Sequence, residues 1–262
     1  MVDFQGKDFY GMVDLVKIVH LLRAPGGCPW DAEQTHESLR RNFLEESYEV
    51  VEAIDEGNPA HLCEELGDVL LQVVFHTSIA GEAGQFSLDE VADGVCKKLI
   101  YRHPHVFGET AVSGTGEVLQ NWEALKRQEK QQETHADALE AVARSLPALW
   151  RAEKVQKKAA RAGFDWPEVS GAVDKLHEEI GELREAIADG SNMEEELGDV
   201  LFSAVNVARF LHADPEEVLH RAVDKFITRF HGVEQAALQQ GSRMEAMSLT
   251  ALDKLWEDAK QT

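Results

Sequence analysis

Glu64-Glu65-Leu66-Gly67-Asp68-Val69-Leu70 and Glu195-Glu196-Leu197-Gly198-Asp199-Val200-Leu201 are one text written twice without a substitution. In each copy the acids of the Glu-x-x-Asp core stand three residues apart, and residues three or four apart share one helix face. A second acid-rich stretch precedes each: Glu45-Glu46-x-x-Glu49 before the first, Glu178-Glu179-x-x-Glu182 before the second. Apolar residues run beside the acids at the same period. Leu44, Tyr48 and Val51 accompany the first glutamates, and Leu66, Val69 and Val73, broadened by Leu70 and Val74, accompany the first Glu-x-x-Asp. Leu197, Val200, Leu201 and Val205, followed by Phe210 and Leu211, repeat that stripe in the second copy. Each copy therefore reads as two helices, both with an acidic face and an apolar one.

The duplication reaches further. Lys98-x-x-x-Arg102 answers Lys225-x-x-x-Arg229, and Trp122-Glu123-x-x-Lys126 answers Trp256-Glu257-x-x-Lys260. Upstream, Trp30 after a Gly-rich turn answers Trp166 in Gly163-Phe164-Asp165-Trp166. Order is kept throughout, which marks an internal repeat. Two lobes are expected, roughly 1–130 and 140–262, joined across the polar stretch from Lys126 to His135. Leu15, Val16, Val19 and Leu22 predict a helix stopped by Pro25-Gly26-Gly27, and Asn58-Pro59 predicts a cap with proline at the first helical position. No alternating strand pattern competes. The expected fold is all-α, a helical-bundle domain made in tandem. Its wide apolar faces ask for partners on more than one side, which points to a homodimer.

Bulk composition narrows the function. The 262 residues carry a formal net charge of -22, which argues against a nucleic-acid binder but leaves room for a phosphate ligand beside a metal. The three cysteines show no C-x-x-C spacing, and neither a signal segment nor a long apolar run is visible, so a cytoplasmic protein without membrane association is expected. No Walker loop, GxGxxG or GxSxG motif occurs.

The acids are where chemistry is expected. Carboxylates gathered on apolar helices repel one another and are costly to desolvate, and a divalent cation offsets both costs. Glu179, Glu182, Glu196 and Asp199 offer hard oxygen ligands suited to Mg²⁺, with Mn²⁺ as substitute, and Glu46, Glu49, Glu65 and Asp68 repeat the set. A lone EExxE is more often a solvated helix face; paired with ExxD and repeated, it reads as a metal site. Lys225 and Arg229, and in the first copy Lys98 and Arg102, are one turn apart and could grip a phosphate chain. Trp256 divides evenly between stacking on a base and packing in the core, with Lys260 beside it. Asn206, polar on an apolar helix, needs a partner, with ligand contact one option. Gly67 and Gly198 suggest close helix approach beside the carboxylates. Glu33-x-x-His36 and Glu217-x-x-His220 are half-motifs for di-iron binding, in non-corresponding positions, and carry little weight. His103-Pro104-His105 reads as a turn.

With these motifs quoted, the chain resembles the MazG nucleoside triphosphate pyrophosphohydrolases. Gly27-Cys28-Pro29-Trp30-Asp31 and Arg102-His103-Pro104-His105-Val106-Phe107 resemble the first domain of the long, two-domain bacterial form. The resemblance implies a dimeric, Mg²⁺-dependent, all-α enzyme cleaving nucleoside triphosphates, ATP among them, between the α and β phosphates. It implies metal ligation by Glu179, Glu182, Glu196 and Asp199, supported by Glu178 and Glu195, and nucleotide contact by Lys225, Arg229, Trp256 and Lys260. It also credits activity to the second domain, the first being structural or regulatory. The residues alone do not draw that distinction, since Glu46, Glu49, Glu65, Asp68, Lys98 and Arg102 keep the whole pattern as a second site. Broad base tolerance is expected. The rivals are a pyrimidine-restricted diphosphohydrolase on the same helical plan and a non-catalytic acidic binding protein.

Overall fold

A computed structural model describes residues 4–129 and 134–260, which form helices and turns with no strand among them. The chain divides into two compact units, Met1–Leu125 and Lys126–Thr262. In chain order the first unit holds α1 (Met12–Arg23), α2 (Pro29–Glu33), α3 (Arg40–Glu56), α4 (Pro59–Glu82), α5 (Leu88–Arg102), α6 (Pro104–Phe107) and most of α7 (Thr115–Glu129). The second holds α8 (His135–Glu140), α9 (Ala148–Arg161), α10 (Val169–Asp189), α11 (Met193–Phe210), α12 (Pro215–Gln239) and α13 (Leu249–Ala259), with a 3-10 turn at Met244–Ala246. Of the expected connection, Lys126–Glu129 complete α7, and 130–133 lie outside the described residues.

Each unit is built on a tight helical hairpin, α3–α4 in the first and α10–α11 in the second. Both turns open on a left-handed glycine, Gly57 at φ 64° and Gly190 at φ 77°, the conformation that releases a chain from a helix. In the first, the Asn58 side chain accepts hydrogen bonds from Ala60 N at 3.1 Å and His61 N at 3.4 Å, and Pro59 begins α4, the expected cap. In the second, Asp189 takes over: Ser191 donates to its Oδ1 from both backbone nitrogen (2.9 Å) and hydroxyl (2.6 Å).

The first core joins α1 to α4 through Val19, Leu39, Val74 and Phe75. The Gly26–Asp31 segment is fixed around Arg23, whose guanidinium grips Glu82 with two bonds of 2.8 Å, donates to the Asp31 carbonyl at 2.6 Å and lies 5.5 Å from the Phe75 ring. Gly27 is obligatory there, since a Cβ would sit 2.3 Å from the Leu21 carbonyl oxygen. His36 and His76 stack with Nδ1 atoms 2.8 Å apart, so His36 is a partner of α4; Glu217 pairs with Arg221. The second core gathers Val233, Ala237 and Leu255, with Trp256 and Leu252 packed against them, where α12 meets α13.

Two expectations change. Gly67 and Gly198 do not bring helices close in this chain, for a Cβ at either would meet nothing within 4 Å. His103-Pro104-His105 is not a bare turn: Pro104, with no N–H to satisfy, opens the short helix α6. No helix of the described residues is long and apolar enough to cross a membrane.

Candidate active site

In the second unit Glu179 projects from α10 and Glu196 and Asp199 from α11, and the hairpin brings one oxygen of each within 4.8 Å of the others. The turn between the helices is short enough that i,i+3 and i,i+4 positions near its mouth must face one another. Glu179 is almost fully buried, Glu196 half-buried and Asp199 exposed, so the cluster opens outward from a protected floor. Glu182 stands outside this closest group but acts on it. Burial first, then the charges of Glu182, Asp199 and Glu179, push the Glu196 carboxyl above its ordinary range.

Lys175 was not anticipated. One turn before Glu179, its ammonium reaches Glu179 at 2.7 Å and Glu178 at 2.9 Å, and these carboxylates hold its pKa well above the usual lysine value. The i,i+4 spacing was the signal in the sequence. Lys175 thus supplies the countercharge to the buried floor of the cluster.

The first unit assembles the corresponding group from α3 and α4. Glu46, Glu49 and Glu65 place oxygens within 4.8 Å of one another. Glu46 is held above the usual carboxylate range by burial, then by Asp68 and Glu49, with Gln72 pulling the other way. His61 joins Glu56 at 2.7 Å and Glu65 at 3.1 Å, and is raised above its ordinary value chiefly by the Glu56 bond. Asn42 occupies the register of Lys175.

The cations of the two copies also differ. Arg102 is buried, its guanidinium 5.1 Å from the Trp122 ring. Lys225 is exposed and Arg229 half-buried on α12, and neither makes a hydrogen bond or ion pair among the described residues. Trp256 packs in the α12–α13 core, 5.1 Å from the Phe226 ring, and Lys260 pairs with Glu257 at 2.5 Å. Among the described residues none of these four makes a hydrogen bond or ion pair with the acidic cluster. Asn206 has a partner within the unit: its Oδ1 accepts from Arg209 Nε at 2.8 Å, and Arg209 in turn holds Asp165 with bonds of 2.9 and 2.5 Å.

Both clusters fit a divalent cation by their donor chemistry: hard carboxylate oxygens, crowded enough to raise one member's pKa, with no thiolate or imidazole in either group. The MazG nucleotide pyrophosphohydrolase domain matches residues 34–107 and again 169–233, each span containing one acidic hairpin. The nucleoside triphosphate pyrophosphohydrolase/pyrophosphatase MazG of Thermotoga maritima is 45% identical over 94% of this chain and 94% of its own length. The nucleoside triphosphate pyrophosphohydrolase of Escherichia coli K12 is 42% identical over 94% of this chain and 96% of its own. The uncharacterized YabN of Bacillus subtilis is 46% identical over 94% of this chain, which matches 50% of that protein. The chain is a member of the MazG family.

Proposed function

We propose that this chain hydrolyses nucleoside triphosphates to the monophosphate and pyrophosphate, in a Mg²⁺-dependent reaction centred on the second unit. The observation that carries the reading is the convergence of Glu179, Glu196 and Asp199 on one point, with Glu182 close enough to perturb Glu196. Magnesium bound there would draw negative charge off the phosphates and make phosphorus accessible to attack. The chain's own residues do the rest. Glu182 makes no hydrogen bond among the described residues, which leaves it a free oxygen to take the proton of the attacking water. Lys225 and Arg229, spared from other pairing, are suited to hold the departing pyrophosphate. Base recognition would rest on stacking and few polar contacts, hence broad tolerance, which a panel of ribo- and deoxynucleotides tests.

The working form is proposed to be a homodimer. On α11, Leu201 is 53% exposed, and on α12, Leu219 is 52% exposed. The space beside Gly198 is part of a groove of about 500 Å³ walled by Leu201, Phe202 and Val205. Apolar helix faces of this kind want a covering. A facing copy would also add groups to a pocket whose cations and carboxylates form no ion pair with one another among the described residues.

The first unit is assigned a lesser, structural or regulatory role. Supporting that ranking, Arg102 is already buried over Trp122, whereas Arg229 makes no hydrogen bond or ion pair among the described residues. Pyrophosphate release by Glu49→Gln and Glu182→Gln variants tests the assignment. We expect a loss of about a hundredfold or more for Glu182→Gln and a small one for Glu49→Gln. Equal losses would mean that the two units share the chemistry, and no loss in either would remove the acids from it.

A further inference from the structure

Outside the acidic cluster of the first unit, two histidines 40 residues apart in the chain meet ring to ring. His36 sits in the turn between α2 and α3, and His76 on α4. Their rings stack with centroids 5.1 Å apart and planes 9° from parallel, and the two Nδ1 atoms stand 2.8 Å from each other. That separation is a hydrogen bond, which needs a proton on one nitrogen and a lone pair on the other. The donor ring can take a charge on its far nitrogen and still donate. A charge on both rings leaves no acceptor, and the bond is lost.

We propose that His36 and His76 form a pH-operated latch, in which His36 donates to His76, ties the turn before α3 to α4, and lets go when His76 is itself protonated. The place of the pair in the fold gives the latch something to hold. Leu39 ends the turn, precedes α3 directly and is 3% exposed in the first core. Inside the turn, Thr35 and Ser38 bond each other and Gln34 bonds Ser38, all of them local contacts. Among the described residues the histidine pair is the hydrogen bond that joins this turn to α4. The second copy has Val207 at the place of His76, a side chain that cannot titrate. The latch is therefore a property of the first unit, and it does not depend on what either acidic hairpin binds.

The surroundings favour His76 as the ring kept neutral. Burial first, then the charge of His36, holds it below its ordinary histidine value. From α3, Phe43 lies against it with centroids 5.9 Å apart and brings no charge; the ionisable neighbours of Phe43 on that helix are Arg40 and Glu46. From the turn, Glu37 feels His36, though its own N–H and Thr35 are what chiefly lower its carboxyl. From α1, Arg23 is committed to Glu82 and to the Gln34 carbonyl, and His20 acts on Glu82. Short α2 carries Asp31 and Glu33, and α5 brings Leu88 to this core with Asp89 and Glu90 at its start, Glu90 being bonded to Ser87. Of all these charges, His36 is the one that acts on His76. An unfolded chain protonates both histidines near about pH 6.5, whereas the closed latch resists the second charge. Its stability is complete above that value and is lost as pH falls through the lowered His76 value.

The test is hydrogen–deuterium exchange of the full-length protein from about pH 7.5 to about pH 5, corrected for the intrinsic pH dependence of exchange, beside a nitrogen magnetic resonance titration of labelled imidazoles. Protection of the 34–43 segment should fall about tenfold or more, since one unit of pKa depression is tenfold in the opening equilibrium. The segment around Val207 should show no such fall. The imidazole signals should show one histidine of the pair still neutral after the other is charged. His36→Phe, which keeps a ring to stack but has no proton to share, should abolish the pH dependence. Level protection of 34–43 in the wild type, or a fall that persists in His36→Phe, would overturn the latch. So would two histidines that titrate independently at their ordinary value. Should His36→Phe fail to fold by circular dichroism, the wild-type imidazole titration decides.

Discussion

At the residue scale, the same side chain does different work according to what its neighbours leave it. Lys175 neutralises a buried Glu179, so it competes with any cation for that carboxylate. Lys175→Met should therefore tighten Mn²⁺ binding at the second cluster several-fold in the absence of nucleotide, measured by paramagnetic titration; weaker binding would show that the lysine organises the ligands rather than opposing the ion. The glycines separate just as cleanly. Gly27→Ala would force a Cβ to 2.3 Å from a backbone oxygen, and backbone cannot step aside as a side-chain tip can, so a loss of about 2–3 kcal/mol is expected by denaturant titration. Gly198→Ala meets open space inside α11 and should be neutral or stabilising, by up to about 1 kcal/mol. A reversed order would mean that the 24–34 turn tolerates rearrangement. The acids and their spacing were visible in the sequence; the pairing of His36 with His76 was not. Two side chains 40 residues apart carry no periodic signature, and they meet only because the turn before α3 packs on α4.

At the element scale, the α10–α11 hairpin carries a linkage between protons and metal. The Glu196 carboxyl is raised in the folded state by burial and by Glu182, Asp199 and Glu179. A carboxyl raised on folding favours the native state most when protonated, so stability falls as pH climbs through the raised value. Bound Mg²⁺ supplies charge that replaces the proton. The increase in thermal midpoint caused by Mg²⁺ should therefore be small near about pH 4 and grow towards about pH 7, where carboxylates are ionised; a shift independent of pH would contradict this. Helices of several turns were legible because their apolar stripe repeats often enough to be recognised, and Asn58-Pro59 marked one start unambiguously. The short α2, α6 and α8 were not, since five, four and six residues hold too few turns to show a period. Trp256 illustrates the same limit: its core packing depends on α12 and α13 meeting, which no local pattern encodes.

At the scale of the whole molecule, the repeat was the most readable feature, and the family match falls on both acidic hairpins. What the text of one chain does not contain is the partner face. Leu201, Leu219, Val223 and Ile227 remain exposed on α11 and α12. Leu201→Asp should convert a dimer to a monomer in light-scattering measurements and reduce turnover with it; a variant that stays dimeric would move the interface elsewhere. The central claim is the bond that is broken. Phosphorus magnetic resonance of ATP incubated with the protein and Mg²⁺ reads this directly. AMP and pyrophosphate are expected as the only new signals, absent when Mg²⁺ is chelated. ADP with inorganic phosphate, or turnover that continues without a divalent cation, would contradict it.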